Sequence, residues 1–436
     1  MSIPSHCDIV VIGGGPGGAL ASALLAQRGY YVVLFEKRRY PRYQVGESLI
    51  PHFWKYCKLV GVDERIREEH FIRKAGGTVV WGGVIRQTAF SHFGYREPAL
   101  HVERDRFDQI LLEHARSLGV AAFEEVTVTG VDLSAGNGAT VRYAAAGEAA
   151  AGMATARYVV DASGQSAVIA RALGTRVIDE GFRFMSVWGY FKGSRYVGLD
   201  GRAHPFEHLR ETPPTTFVTE IADTGGWGWV WHIPLRDNTS VGLVVPLDAL
   251  KSLNAKKDDL EAYFLRMCAR IPNLNRLLES ARFCKGSVRA IRDYSYLPTQ
   301  LAGPNYFLVG DAAAFTDPIF SVGIVMAMYS AYLAAWAIDA SLRRPETQER
   351  NHRLFESQVR DRIEVSRALA LPRYAADVST PERIRQTIQF ESQTERQLMR
   401  VVSAMTTRSP NYTAMMPATE SVDGDPKMWQ IEQIMF

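Results

Sequence analysis

The chain has 436 residues, 47% of them apolar and 22% charged, an ordinary globular profile with room for two or three domains. Fifty Lys and Arg (50) against 47 Asp and Glu leave a formal net charge of +3, which argues against nucleic acid and against an anionic membrane surface as partners. Four cysteines, Cys7, Cys57, Cys268 and Cys284, form no C-x-x-C pair and read as reduced packing residues of a cytoplasmic protein, with no metal site expected.

Ile9-Val10-Val11-Ile12 reads as a buried strand that starts too near Met1 to leave room for a signal peptide. It runs into G-x-G-x-x-G at Gly13, Gly15 and Gly18, then a helix ended by Gly29, then a second strand, Tyr31-Val32-Val33-Leu34-Phe35, closed by Glu36. That is a dinucleotide-binding βαβ unit. Gly13 makes the tight turn, Gly15 lets a pyrophosphate reach the backbone, and Gly18 lets helix and strand pack closely. Glu36 is placed to accept hydrogen bonds from ribose hydroxyls.

The basic-aromatic run Lys37–Tyr43 reads as a solvated loop, and Gln44–Pro51 leads into a helix through Trp54, Cys57 and Val60. Gly77–Gly82 reads as a strand of a different sheet. His101–Asp108 opens a helix with apolar Phe107, Ile110, Leu111 and Ala115 at helical spacing. A hairpin is expected over 126–133 and 139–145, and a strand at Tyr158–Asp161 that ends in the turn Asp161-Ala162-Ser163-Gly164. From 176 to 290, runs rich in aromatic and β-branched residues predict an antiparallel sheet with one face over a pocket.

Asn305–Val309 reads as another buried strand, followed by Gly310-Asp311. Pro318–Ile338 carries no charge and is long enough to cross a bilayer, but Ser321, Gly323, Tyr329, Ser330 and Tyr332 interrupt it, so it reads as a buried helix and no integral membrane segment is expected. The tail reads as helical, with Thr380 and Pro381 starting a helix whose face carries Ile384, Ile388, Leu398 and Val401. The apolar end Met428–Phe436 is expected to pack back on the body.

The chain order therefore predicts an α/β fold: a discontinuous Rossmann-like nucleotide domain (1–75, 101–175 and 291–343), an inserted antiparallel β-sheet substrate domain (76–100 and 176–290) and a helical C-terminal region (344–436).

The glycine turn, the Asp161 turn and Gly310-Asp311 followed by Pro318 and Gly323 together resemble FAD enzymes shaped like aromatic hydroxylases. Three further features narrow the likeness: W-x-W-x-I-P at Trp229–Pro234, F-x-x-P-x-x-S-x-G at Phe315–Gly323, and Lys74 just ahead of the Trp81 strand. They resemble the flavin-dependent halogenases. Phe320 stands where the tryptophan-acting branch has a glutamate, and this is similar to the branch acting on phenols and pyrroles. Singly, each feature has a plainer reading: core aromatics for the tryptophans, a helix start for Ser321–Gly323, a solvated amine for Lys74.

The resemblance implies FAD, used as FADH2, held by Gly13, Gly15, Gly18, Glu36, Ser48, Arg104, Gly310, Asp311, Gly323 and Ile324. It implies chloride or bromide at the amides of Val322 and Gly323, and a substrate pocket touching Phe320, Trp229 and Trp231. Reduced flavin, O2 and halide would give a flavin hydroperoxide and then hypohalous acid, which Lys74 would position or carry to an electron-rich ring, free or tethered to a carrier protein. A flavin reductase would act in trans. The expectation is an oxidoreductase of secondary metabolism. An FAD hydroxylase, a prenyl-lipid reductase and a non-catalytic flavin protein are the competing readings.

Overall fold

Side by side and parallel run the strands Tyr306–Leu308, Gly152–Asp161, His6–Ile12, Val32–Glu36 and Ala121–Glu124, the middle of an eight-stranded sheet in a computed structural model of the chain. The structure describes residues 2–374 and 428–436, apart from 82, 94, 135–137, 148–150, 181, 222–227, 248–259 and 293. The inner strands are continuous apolar runs because both faces are covered: Ile9, Val10, Val11, Val32, Val33, Val159 and Val160 are fully buried. The hairpin Val126–Asp132 and Ala139–Ala145 extends this sheet antiparallel against Gly152–Asp161.

On one face the helices Pro16–Ala26, Arg104–Ser117 and Gly323–Arg343 pack together. The last is the uncharged segment singled out above. It is long and apolar enough to cross a bilayer, yet 61% of its apolar window lies inside the chain's own core, and it begins at Gly323 rather than Pro318. Pro318 to Val322 form the turn that leads into it.

The second sheet has nine strands. Its path runs Arg282–Phe283, Phe184–Lys192, Thr239–Pro246, Gly228–Pro234, Thr215–Ile221, Gly76–Trp81, Val84–Ala89 and Met428–Ile431, with Arg289–Arg292 also on Phe184–Lys192. Thr215–Ile221 and Gly76–Trp81 pair in parallel, which joins the two separated β-rich stretches into one surface. Its outer face is covered by Leu260–Arg270 and Pro272–Leu278. Its inner face carries Trp188, Val218, Trp229, Trp231 and Ile233 towards the first sheet.

The C-terminal region is helical only in part. Gln348–Tyr374 is a helix, but Met428–Ile431 is a strand, antiparallel to Val84–Ala89. The reason is local: Val84–Ala89 would otherwise present an open row of N–H and C=O groups, and a short segment rich in β-formers completes the ladder. Beyond it Ile434 is buried, the Met435 N–H donates to the Gly201 carbonyl at 2.9 Å, and Arg276 lies 3.9 Å from the centre of the Phe436 ring. The helix expected from Thr380, with Ile384, Ile388, Leu398 and Val401, lies outside the described residues.

Candidate functional site

Four of the five parallel strands of the first sheet point their C-terminal ends at one place. The Gly13–Gly18 turn follows His6–Ile12, Glu36 ends Val32–Glu36, Asp161 ends Gly152–Asp161, and Gly310-Asp311 follow Tyr306–Leu308. These ends open on a cleft of about 570 Å3 that continues between the two sheets to Trp188, Trp229 and Trp231.

The glycine turn separates into two roles. A Cβ at Gly13 would sit 2.4 Å from the Ala162 carbonyl oxygen, and one at Gly18 would sit 1.9 Å from the Gly13 oxygen, so both are fixed by backbone contact. Gly13 also has φ of +102°. A Cβ at Gly15 would meet only the Arg42 guanidinium, at 3.4 Å, and would project into the cleft. The helix Pro16–Ala26 aims its unpaired first-turn N–H groups into the same space. Glu36 is buried, with Oε2 accepting from the Gly14 N–H at 2.8 Å and Oε1 from the Arg38 N–H at 3.0 Å.

Arg42 departs from the solvated-loop reading of 37–43. Its side chain is 10% exposed, lines the cleft beside Gly15, and is held by Asp108 at 3.3 Å. A cation in the loop directly after Glu36 was the available signal.

Farther along, the Arg104 guanidinium grips Asp108 through two hydrogen bonds, 2.8 and 2.9 Å, and donates to the Val45 carbonyl at 2.9 Å. Its charge faces Asp311, whose carboxyl burial nevertheless pushes up to about 6. Gly310 has φ of +59° and donates its N–H to Ser330 Oγ at 2.9 Å. Phe315, Pro318, Ile319, Ser321, Gly323 and Ile324 form the wall at the start of the long helix. Ser321 has φ of +57°, a left-handed conformation unusual for a serine. It turns the chain so that the helix Gly323–Arg343 points its N-terminus at the cleft, where the first-turn amides lack intrahelical acceptors. Gly323 is open on its free side, where a Cβ would meet only the Phe315 ring at 3.8 Å. Val322 is buried behind this wall, and Phe320 packs between the two hydrophobic cores rather than on the cleft lining.

Lys74 is not a solvated amine. It ends the strand Ile72–Lys74, paired with Ala99–His101, and is only 5% exposed. Its Nζ donates to Ser48 Oγ at 2.8 Å and lies 5.2 Å from the centre of the Phe90 ring, with no ion pair to it among the described residues. Burial pushes the amine down to about 7.

Ser48 faces the cleft and joins Lys74 to it: Ser48 Oγ is 3.0 Å from Ser321 Oγ and 2.9 Å from Thr216 Oγ1. Thr216 in turn meets His101 Nε2 at 2.8 Å, and His101 Nδ1 meets the Pro234 carbonyl at 3.0 Å. Burial holds His101 neutral, its pKa well below the ordinary value. Nδ1 must then donate to the carbonyl and Nε2 must accept from Thr216. The chain of hydroxyls is thereby oriented, and Ser48 offers lone pairs to both Lys74 and Ser321. Thr216 and His101 escaped the sequence reading, because a Thr in a strand and a His before a helix carry no spacing signal.

A nucleotide with a planar redox ring fits these residues. The open cradle at Gly15, the acid at a strand end, the Arg42 cation and a second helix N-terminus at the aromatic end match a long ligand that is anionic in the middle and flat at one end.

A family model described as an FAD binding domain matches residues 6–370. The tryptophan 2-halogenase of Chondromyces crocatus is 34% identical over 342 residues, 78% of this chain and 62% of that one. The flavin-dependent halogenase armH3 of Armillaria mellea is 32% identical over 373 residues, 82% of this chain and 72% of that one. Thus the chain spans less than two thirds of the first relative's length and more of the second's. Among solved structures, the myxobacterial chondrochloren halogenase CndH superposes with a TM-score of 0.77 at 31% identity, covering 95% of this chain and 94% of that one. The flavin-dependent halogenase CmlS gives 0.75 at 28% identity, covering 97% and 76%.

Proposed function

Because the chain belongs to the flavin-dependent halogenase family and carries its FAD-binding domain, we propose that it installs chlorine or bromine on an electron-rich aromatic ring, using FAD reduced by a separate flavin reductase. The observation that carries this reading is Lys74: a buried amine with no acidic partner among the described residues, held one serine away from the cleft.

The Gly13–Gly18 turn, Glu36 and Arg42 would hold the pyrophosphate and ribose, and Arg104, Gly310, Asp311, Gly323 and Ile324 the flavin half. Bound there, reduced FAD with O2 supplies the oxidising power that converts halide to hypohalous acid. The Val322 and Gly323 amides, at the positive end of a helix of 21 residues, offer the halide its donors. Trp229 and Trp231 wall the cleft with flat apolar surface and exclude water. Lys74 sits behind Ser48, where its amine can hydrogen-bond hypohalous acid or take up the electrophilic halogen.

By the family resemblance, Phe320 stands where the tryptophan-acting branch would carry a carboxylate, and no described acidic side chain pairs with Lys74. That favours a ring already activated by its own hydroxyl or ring nitrogen, hence a phenol or a pyrrole, and a carrier-tethered form of either belongs in the same test. The test is a reductase-coupled reaction with chloride or bromide, offering free phenols and pyrroles beside carrier-bound acyl groups, with products read by mass spectrometry. A halogen isotope pattern in one of the products is expected. A product that gains one oxygen and no halogen would convert the reading to that of a hydroxylase.

A further inference from the structure

Glu47 is a cleft-lining carboxyl group that the proposed function leaves without a role. It is 4% exposed; its Oε1 accepts from the Tyr190 hydroxyl at 2.6 Å, and its buried Oε2 has no hydrogen-bond partner. The Tyr190 hydroxyl lies 3.0 Å from that of Tyr43, which also receives the Trp188 indole N–H. Tyr43 is 40% exposed. The single Tyr190 proton has two acceptors within reach: it goes to Glu47 Oε1 when the carboxyl is ionised, and to Tyr43 when the carboxyl is protonated and donates to Tyr190, so the three groups form one hydrogen-bonded row from the exposed Tyr43 to Glu47.

The charges around the chain are few. Arg104 and Glu103 act on Glu47 with opposite signs, Ser240 favours its ionised form, and Arg289 faces Tyr43. Burial outweighs them and pushes the carboxyl up to about 7, so both protonation states are accessible near neutrality.

The proposed reaction needs such a group. Counted from neutral reduced flavin, it balances as FADH2 + O2 + X− + Ar–H + H+ → FAD + Ar–X + 2 H2O. Two electrons from the flavin and two from the halide, formally X− to X+, reduce O2 to water. The C–X bond replaces C–H, and one proton per turnover enters from solvent. Hydroxylation of the same ring by the same reduced flavin takes up none. Of the other carboxylates at the cleft, Glu36 has both oxygens occupied by backbone N–H groups, and Asp311 faces the Arg104 guanidinium.

Resting on the halogenase reading, we propose that Tyr43, Tyr190 and Glu47 form the path by which this proton reaches the cleft, with Glu47 as the terminal donor. In the full-length protein with oxidised FAD bound, infrared spectra across about pH 5 to 9 should show a protonated-carboxyl C=O band that Glu47→Gln removes. Tyr190→Phe should move the midpoint of that band to higher pH, because the hydroxyl that favours the carboxylate is gone. In single turnovers of pre-reduced enzyme, Glu47→Gln should slow halogenation about a hundredfold. Tyr190→Phe and Tyr43→Phe should slow it most at alkaline pH and change the solvent deuterium isotope effect. Because Tyr190→Phe leaves the carboxyl in place, it is the deciding variant: wild-type rate and isotope effect there overturn the proton path. A wild type that oxidises its flavin without halogenating any substrate refutes the halogenase reading instead.

Discussion

Lys74 shows how much burial changes the meaning of a residue. In the sequence it is one basic residue among 50, beside Arg73, and nothing in its spacing separates it from a surface lysine. In the fold Arg73 is exposed and Lys74 is buried, since successive residues of a strand face opposite ways. The family pattern singled out Lys74, but the means of holding it did not show: Ser48, Thr216 and His101 come from three distant segments and meet only in space. The Lys74 amine sits near 7 in the fold against an ordinary 10.5, so the native state binds fewer protons than the unfolded chain between those values. The stability cost of the amine is full below about pH 7 and fades as pH rises towards 10.5. Lys74→Met should therefore melt at higher temperature than wild type, with the gap widest at or below neutral pH and closing at alkaline pH. Thermal melts across pH check this; a gap that widens as pH rises would contradict the buried neutral amine.

At the scale of elements, the first βαβ unit was the most legible part of the chain, because its local rules and its tertiary role agree. Gly13 and Gly18 are required by backbone contact, whereas Gly15 is required only by what occupies the cleft. Gly15→Val should thus fold and lose FAD, measured as flavin absorbance per protein after purification; normal flavin content would contradict the assigned cradle. Gly18→Ala should fail differently, by unfolding, since its Cβ has no room at 1.9 Å from the Gly13 oxygen.

The C-terminal strand was legible only as apolarity. Met428–Ile431 became a strand because an edge was waiting at Val84–Ala89, a partner more than 300 residues away that no local pattern reveals. Ile434, buried with Ile85, Val197 and Phe217, anchors the segment, and Ile434→Ala should cost about 2 to 4 kcal/mol in denaturant unfolding. An unchanged midpoint would mean that the terminus adds nothing to the second sheet.

Over the whole molecule, the two sheets divide the work. The parallel sheet gathers strand ends and two helix N-termini around one cleft, and the antiparallel sheet closes that cleft with tryptophans. Lys74 lies outside the cleft lining and reaches it through its hydrogen bond to Ser48, which is the arrangement expected if oxidation and ring substitution happen in separate places. The α/β class was legible in the glycine turn and in the strand and helix periods around it. The separation was not, because it depends on which side of Ser48 each group falls.

That separation makes Lys74→Ala the most direct test of the account. The variant, supplied with FAD, reductase, halide and an activated phenol or pyrrole, should hold FAD and oxidise it at the wild-type rate while forming no organohalogen detectable by mass spectrometry. Chlorination or bromination retained at the wild-type level would contradict the role given to Lys74 and, with it, the passage of halogen out of the cleft.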